Sequence, residues 1–353
     1  HEPVADYTQL DPSALRNVIR EAGIVGLGGA GFPSFIKLNP VHNREIDTLI
    51  LNGVECEPYI TCDDMLMRER PDEIIAGLHI IRHALQAKQC VIAIEDNKPE
   101  AFAVLSAAAQ NETNVDIVQV PTLYPQGSEK QLIKVVTGKE VPSNGLALHV
   151  GVVCHNVGTA AANHRAIHLG EPLISRYVTM AGHGIKTPGN FEVLLGTPMQ
   201  DLIEQCGGNT QNLDRLIMGG PMMGVALHDV TVPVTKTTNC ILAFAKTGDV
   251  PLASKDSQAM PCIRCGNCAE ACPVDLLPQQ LYWYARAKDF DKIQDYHLFD
   301  CIECGCCDYV CPSQIPLVHY FRYAKTEIWA QQHEKALANI ARERHQYREQ
   351  RLE

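Results

Sequence analysis

Two stretches of this chain carry the same pattern: PCIRCGNCAEACPVDL over residues 261–276 and DCIECGCCDYVCPSQI over residues 300–315. They match at an offset of 39 residues, the mark of an internal duplication. The first sets Cys262, Cys265, Cys268 and Cys272 before Pro273, and the second sets Cys301, Cys304, Cys307 and Cys311 before Pro312. Both follow the C-x2-C-x2-C-x3-C-P spacing of 4Fe–4S ligands. Thiolates three positions apart let a tight loop wrap three corners of a cubane. The fourth cysteine lies beyond that loop and reaches across to the other cluster. One cluster is therefore expected on Cys262, Cys265, Cys268 and Cys311, the other on Cys301, Cys304, Cys307 and Cys272. Soft sulfur ligands also suit zinc, but structural zinc sites pair two C-x2-C units across a wider gap. Cys306 is out of register with the repeat and reads as a small packed or exposed thiol.

Nine of the 15 cysteines fall between Cys262 and Cys311. That clustering indicates metal in a reducing compartment and not a secreted disulfide scaffold. Cys56, Cys62, Cys90, Cys154, Cys206 and Cys240 have no metal spacing and read as small core residues. The chain is 353 residues long and 46% hydrophobic, enough for two or three domains with real cores. A net charge of −11 gives no electrostatic support for nucleic-acid binding. The longest run free of Asp, Glu, Lys and Arg, residues 141–164, contains histidines and asparagines that lipid would leave unpaired, so no spanning segment is expected. No signal peptide is evident. The chain begins at His1, which reads as a processed or truncated start.

Upstream of the cysteines, residues 11–22 read as a helix with Asp11 as N-cap and Pro12 at its first position. Strands are predicted over 48–54, 90–95 and 115–120, and helices over 71–87 and near 98–109. This alternation predicts an α/β layer up to about residue 170. From 172 to about 248, short β-rich runs (191–196 and 215–219) around a helix near 198–206 predict a small α+β domain. Residues 251–261 read as a linker, 278–287 as a helix between the two cysteine runs, and 317–353 as a polar helix. The expected domains are 1–171, 172–250, 251–320 and 321–353.

Four polar, glycine-bearing turns fall in the α/β layer: GLGGAGFP (26–33), NGVECEP (52–58), YPQGSE (124–129) and NVGT (156–159). The first follows a helix, so it is not the dinucleotide fingerprint, which opens a helix after a strand. Its glycines would still let backbone N–H groups approach a phosphate or a flat ring closely. Lys37 could supply a point charge to a phosphate. Together the four turns predict a ligand crevice at the strand ends.

These motifs resemble the flavin-site motifs of the FMN- and NADH-binding subunit of respiratory complex I. The order of domains resembles the C subunit of bacterial Rnf electron-transport complexes. The resemblance implies an α/β flavin-binding domain, a small α+β β-grasp (SLBB-like) domain and a bacterial-ferredoxin-type two-cluster module. It implies non-covalent FMN lined by Gly28, Gly29, Gly31, Lys37, Asn52, Glu55, Tyr124, Gly127, Asn156 and Thr159. It also implies NADH facing Phe32, Glu57 and Glu129. Leu27, Val54 and Ser128 depart from the complex I pattern, where Arg, Asp and Glu stand. The implied function is an NADH-linked electron-input or output subunit of an ion-translocating oxidoreductase. It would be peripheral on the cytoplasmic face of the inner membrane, with membrane subunits and ferredoxin as partners and a further N-terminal domain. Two alternatives stay open: a flavin and iron–sulfur corrin reductase of bacterial microcompartments, and an electron-wire subunit with an empty flavin site.

Overall fold

The structure, a computed structural model, describes residues 2–40, 44–245 and 259–352, and divides into two compact units, 1–249 and 250–353. Most of the predicted linker, residues 251–258, lies outside the described residues.

The first unit opens with the helix Pro12–Glu21, whose start is fixed as expected: Asp11 Oδ1 accepts the Ser13 and Ala14 N–H groups at 2.8 and 3.1 Å. Four parallel strands follow: β1 Thr48–Gly53, β2 Gln89–Glu95, β3 Val115–Val120 and β4 Val152–Asn156. Their order is β3-β2-β1-β4. Such strands are buried on both faces and read as continuous apolar runs. Leu49, Leu51, Ile92 and Ile94 pack on one face with the helices Pro12–Glu21, Pro71–Leu85 and Val157–His168. Ile50, Ala93, Val152 and Cys154 pack on the other with Leu132 and Ile133 of the helix Glu129–Thr137. The chain turns back between β1 and β4, so the carboxyl ends of those two strands mark the topological switch point.

A mixed five-stranded sheet completes this unit: β5 Ser175–Ala181, β6 Gly189–Leu194, β7 Leu213–Met218, β8 Val225–Leu227 and β9 Cys240–Ala245. Its order is β6-β5-β9-β7-β8, with only β5 and β9 parallel. The helix Met199–Gln205 packs on it through Met199, Leu202 and Ile203. The run predicted over 191–196 ends as a strand at Leu194, and Gly196, with φ +93°, lies in the turn beyond it.

The second unit holds both cysteine runs around the helix Pro278–Ala287. The helix Leu317–Gln350 begins in the core of this unit. Leu317, Val318, Phe321, Ala324 and Ile328 are buried against Leu281, Ala285 and Ile293, and from Gln331 onward the helix is exposed. Its polar composition thus belongs to the distal turns. Among the described residues no helix is long and apolar enough to cross a membrane.

Candidate functional site

The four turns meet at the switch point. Asn52, one residue before the end of β1, donates from Nδ2 to the Gly127 carbonyl at 2.9 Å, while its Oδ1 accepts the Val54 N–H at 2.9 Å. That joins the second turn to the third. Asn156 caps the helix Val157–His168, accepting the Gly158 N–H at 2.9 Å. Thr159 Oγ1 accepts the Leu27 N–H at 2.9 Å, which ties the glycine-rich loop to the end of β4. A Cβ on Gly28 would lie 3.5 Å from Asn156 Cβ, so this loop packs on the fourth turn by backbone.

Buried charge lies beneath these turns. Glu55 accepts the Asp63 and Asp64 N–H groups at 2.8 and 3.1 Å, at the start of the helix Cys62–Glu69. Asp63 takes Asn156 Nδ2 at 2.6 Å. Burial, and then the neighbouring Asp63 carboxyl, push Glu55 up to about 8, against the opposing pull of the two N–H groups and Lys98. Burial likewise raises Asp63. Glu95, at the end of β2, is paired with Lys98 at 2.5 Å.

This arrangement gives stability a sign against pH. The unfolded chain releases the Glu55 proton near the ordinary carboxylate value of about 4.3. The folded protein releases it only near 8. Between those values the folded state binds more protons, so stability falls as pH rises and levels off above them. The melting temperature of flavin-free protein is expected to decline across that window, and Glu55→Gln to flatten the decline. An unchanged slope in the variant would assign the proton elsewhere.

Lys37 and Glu129, assigned above to different ligands, form an ion pair with each other. Lys37 also donates to the Cys154 carbonyl at 3.0 Å. Burial pulls its pKa down, but Glu129 and Cys154 together outweigh that and leave it raised. Glu57 reaches the second sheet's Gly219–Gly224 turn, where Oε1 accepts the Met222 and Met223 N–H groups at 3.1 and 2.7 Å. Its Oε2 is buried with no hydrogen-bond partner among the described residues. Burial raises its pKa, while those N–H groups and Tyr124 pull it down. Phe32 is 46% exposed beside the glycine-rich loop.

Three contributors escape sequence reading. Asp63 sits in an ordinary TCDDM helix start. Arg176, on β5, is 5% exposed and donates from Nη2 to the Leu27 carbonyl at 2.8 Å, 149 residues away in the chain. Lys236 Nζ donates to the Gly23 carbonyl at 2.6 Å. Arg176 of the second sheet thus braces the glycine-rich loop, and Lys236, in the turn before β9, holds the Gly23 turn that leads into it.

The residues present fit a bound flavin mononucleotide. The loop offers bare backbone at Gly29, where φ is +106° and a Cβ would meet nothing closer than Asn239 Nδ2 at 3.8 Å. A polar floor of Asn52, Asn156 and Thr159 lies at the same strand ends, and Glu57 keeps an unpaired buried oxygen.

In the second unit, one cavity is lined by Cys262, Cys265, Cys268 and Cys311, and another by Cys301, Cys304, Cys307 and Cys272. Each combines three cysteines of one run with the fourth of the other. Cys306 lines neither cavity. The donor chemistry, four thiols and an otherwise largely apolar lining, fits an iron–sulfur cubane. Cys62, Cys90, Cys154, Cys206 and Cys240 are buried, and Cys56 accepts the Gly127 N–H at 3.3 Å.

Three domain families match the chain: the Nuo51 FMN-binding domain over residues 19–165, the SLBB domain over 177–226 and the 4Fe-4S dicluster domain over 261–315. The chain is 50% identical over 350 residues to the C subunit of the ion-translocating oxidoreductase complex of Pseudomonas aeruginosa. It is 51% identical over 351 residues to the corresponding protein of Yersinia pestis bv. Antiqua. These alignments cover 99% of this chain but 45% and 56% of the relatives, so the chain spans about half their length. Among solved structures it is similar to NAD+-reducing [NiFe]-hydrogenase in the H2-reduced state. That match has a TM-score of 0.61 and 19% identity, and covers 89% of this chain and 62% of the other. At that identity the likeness is one of fold.

Proposed function

Because this chain belongs, over the span it covers, to the C-subunit family of ion-translocating oxidoreductase complexes, we propose that it exchanges electrons between NADH and two 4Fe–4S clusters through FMN. It would do so as a peripheral component on the cytoplasmic face of the membrane, with membrane subunits and ferredoxin as partners. The observation that carries this reading is the meeting of the glycine-rich loop with the turn after β4, beside the β1 end that Asn52 ties to Gly127, in a chain that also brings its cysteines together in two sets of four.

Bound FMN supplies the conversion between the paired electrons of a hydride and the single-electron chemistry of iron–sulfur clusters. The chain's own residues bind and orient. Gly28, Gly29 and Gly31 present backbone at close range. Asn52, Glu55, Tyr124, Gly127, Asn156 and Thr159 frame the crevice around it. Lys37, on leaving Glu129, offers its charge to a phosphate. Phe32, Glu57 and Glu129 face the nicotinamide nucleotide, with the free Glu57 Oε2 as an acceptor for a ligand hydroxyl or amide. The eight cysteines act as thiolates. Carbon and sulfur side chains enclose the cavity of Cys301, Cys304, Cys307 and Cys272, while the exposed Cys265 leaves the other open to solvent.

Anaerobically purified protein supplied with FMN is expected to hold about one flavin and about eight irons, as two cubanes require. NADH should bleach flavin and cluster absorption together. Clusters reduced by dithionite but not by NADH, in flavin-loaded protein, would overturn the NADH role and leave a one-electron wire. Stoichiometric zinc in place of iron would remove the cluster reading.

A further inference from the structure

The two halves of the cysteine module repeat in sequence but not in surroundings. In the first loop Ile263 is 67% exposed and Cys265 is exposed. At the matching positions, 39 residues on, Ile302 is half-buried and Cys304 is 6% exposed. Arg264, exposed in the first loop, is matched by Glu303 in the second.

The difference comes from the helix Leu317–Gln350. Its Lys325 is only 7% exposed, an uncommon setting for an ammonium group. Nζ donates to the Cys301 carbonyl at 2.7 Å and to Glu303 Oε1 at 2.7 Å. Arg322 Nε holds the other Glu303 oxygen at 2.9 Å. Asp308, which accepts the Val318 N–H at 3.0 Å and lies beside Cys307, adds a second carboxyl group near the ligands.

Electrostatics gives this arrangement a consequence. Reducing a cluster adds a negative charge to a site that already carries four thiolates. Burial opposes that added charge, because water no longer screens it. A fixed cation and hydrogen bonds around the sulfurs favour it. At the first loop solvent can do this work. At the second, the nearest fixed cation on the ligand backbone is Lys325.

We propose that Lys325 is a tuning residue of the cluster held by Cys301, Cys304, Cys307 and Cys272, raising its reduction potential against the cost of burial. This rests on the two-cluster reading above. Glu303 works against Lys325 and holds it in place, so the two charges shift the potential in opposite directions. The cluster on Cys262, Cys265, Cys268 and Cys311 lacks this device and responds to neither.

The test is a redox titration of the anaerobic, iron-loaded protein followed by electron paramagnetic resonance. Lys325→Met is expected to move one cluster's midpoint to more negative potential and leave the other in place. Lys325→Arg should restore most of the shift. Glu303→Gln should move the same midpoint to more positive potential. Cys265→Ser assigns the signals, since it alters the other cluster. A merely structural role for Lys325 would not produce shifts of opposite sign from neighbouring variants. Unmoved midpoints, shifts of the same sign, or shifts in the signal that Cys265→Ser alters would overturn the proposal. If Lys325→Met fails to hold iron, Glu303→Gln decides it: a positive shift supports the tuning role, and no shift or a negative one refutes it. Parent protein with far fewer than about eight irons would instead remove the two-cluster reading.

Discussion

Cys307→Ala is expected to halve the iron of this protein, from about eight atoms to about four, while Cys306→Ala leaves it whole. The two cysteines are adjacent in the chain, so composition cannot separate them. Register does: Cys307 matches Cys268 at the 39-residue offset, and Cys306 matches Asn267. Geometry separates them in the same way, because Cys307 lines the cavity with Cys272, Cys301 and Cys304 and Cys306 does not. Cys306 opens the short helix Cys306–Tyr309, whose first turn carries Cys307 inward to 7% exposure. Crossed ligation adds a second check. Cys272→Ala should cost the cluster of the second run, and Cys311→Ala that of the first, although each residue lies in the opposite run. Iron analysis with resonance spectra of each variant measures this. The reverse outcome for Cys306 and Cys307 would break the ligand assignment.

The contrast between these cysteines and the flavin crevice explains what could be read from sequence. A cluster loop encodes its ligands at fixed short spacing, so Cys262, Cys265 and Cys268 declare themselves locally. The turns at Asn52, Gly127 and Asn156 are nearly as legible, because glycine and asparagine mark the ends of apolar strand runs. β4 is implied by its NVGT turn. β5 and β9 are harder: they are the parallel pair in the middle of a mixed sheet, and a buried run such as CILAFA does not alternate. Arg176 braces the glycine-rich loop, and Lys236 the Gly23 turn before it, across 149 and 213 residues of chain. No local periodicity carries such a contact. Lys325 is hidden differently. It sits in a helix whose exposed turns make the whole stretch read as polar, and only the packing of Phe321 and Ile328 shows that its side chain turns inward.

Gly29→Val is expected to abolish flavin binding while the fold survives. The native φ of +106° strains any residue with a Cβ, at about 1–3 kcal/mol. Yet the nearest atom to that Cβ is Asn239 Nδ2 at 3.8 Å, an ordinary contact. The added side chain therefore meets little protein and instead fills the space a ligand would use. Gly31→Val differs. There φ is +66° and the Cβ would come within 2.6 Å of Thr237 Cγ2. The loop would have to move away from the turn before β9, so this variant should lower the melting temperature as well as flavin affinity. Lys37→Ala should act more gently, costing about 1–3 kcal/mol of binding if a charged hydrogen bond to phosphate is lost. Because Lys37 is paired with Glu129 when no ligand is bound, part of its gain is spent on breaking that pair. Glu129→Gln should then tighten flavin binding even as it weakens any contact to the nicotinamide nucleotide. All four variants should keep their clusters, since the eight cysteines lie in the other compact unit. Flavin titration by fluorescence and cluster absorbance after NADH and after dithionite measure each arm. In Gly29→Val, dithionite should still bleach the clusters and NADH should not. If NADH reduced them at the parent rate, electrons would enter somewhere other than the crevice at Gly29.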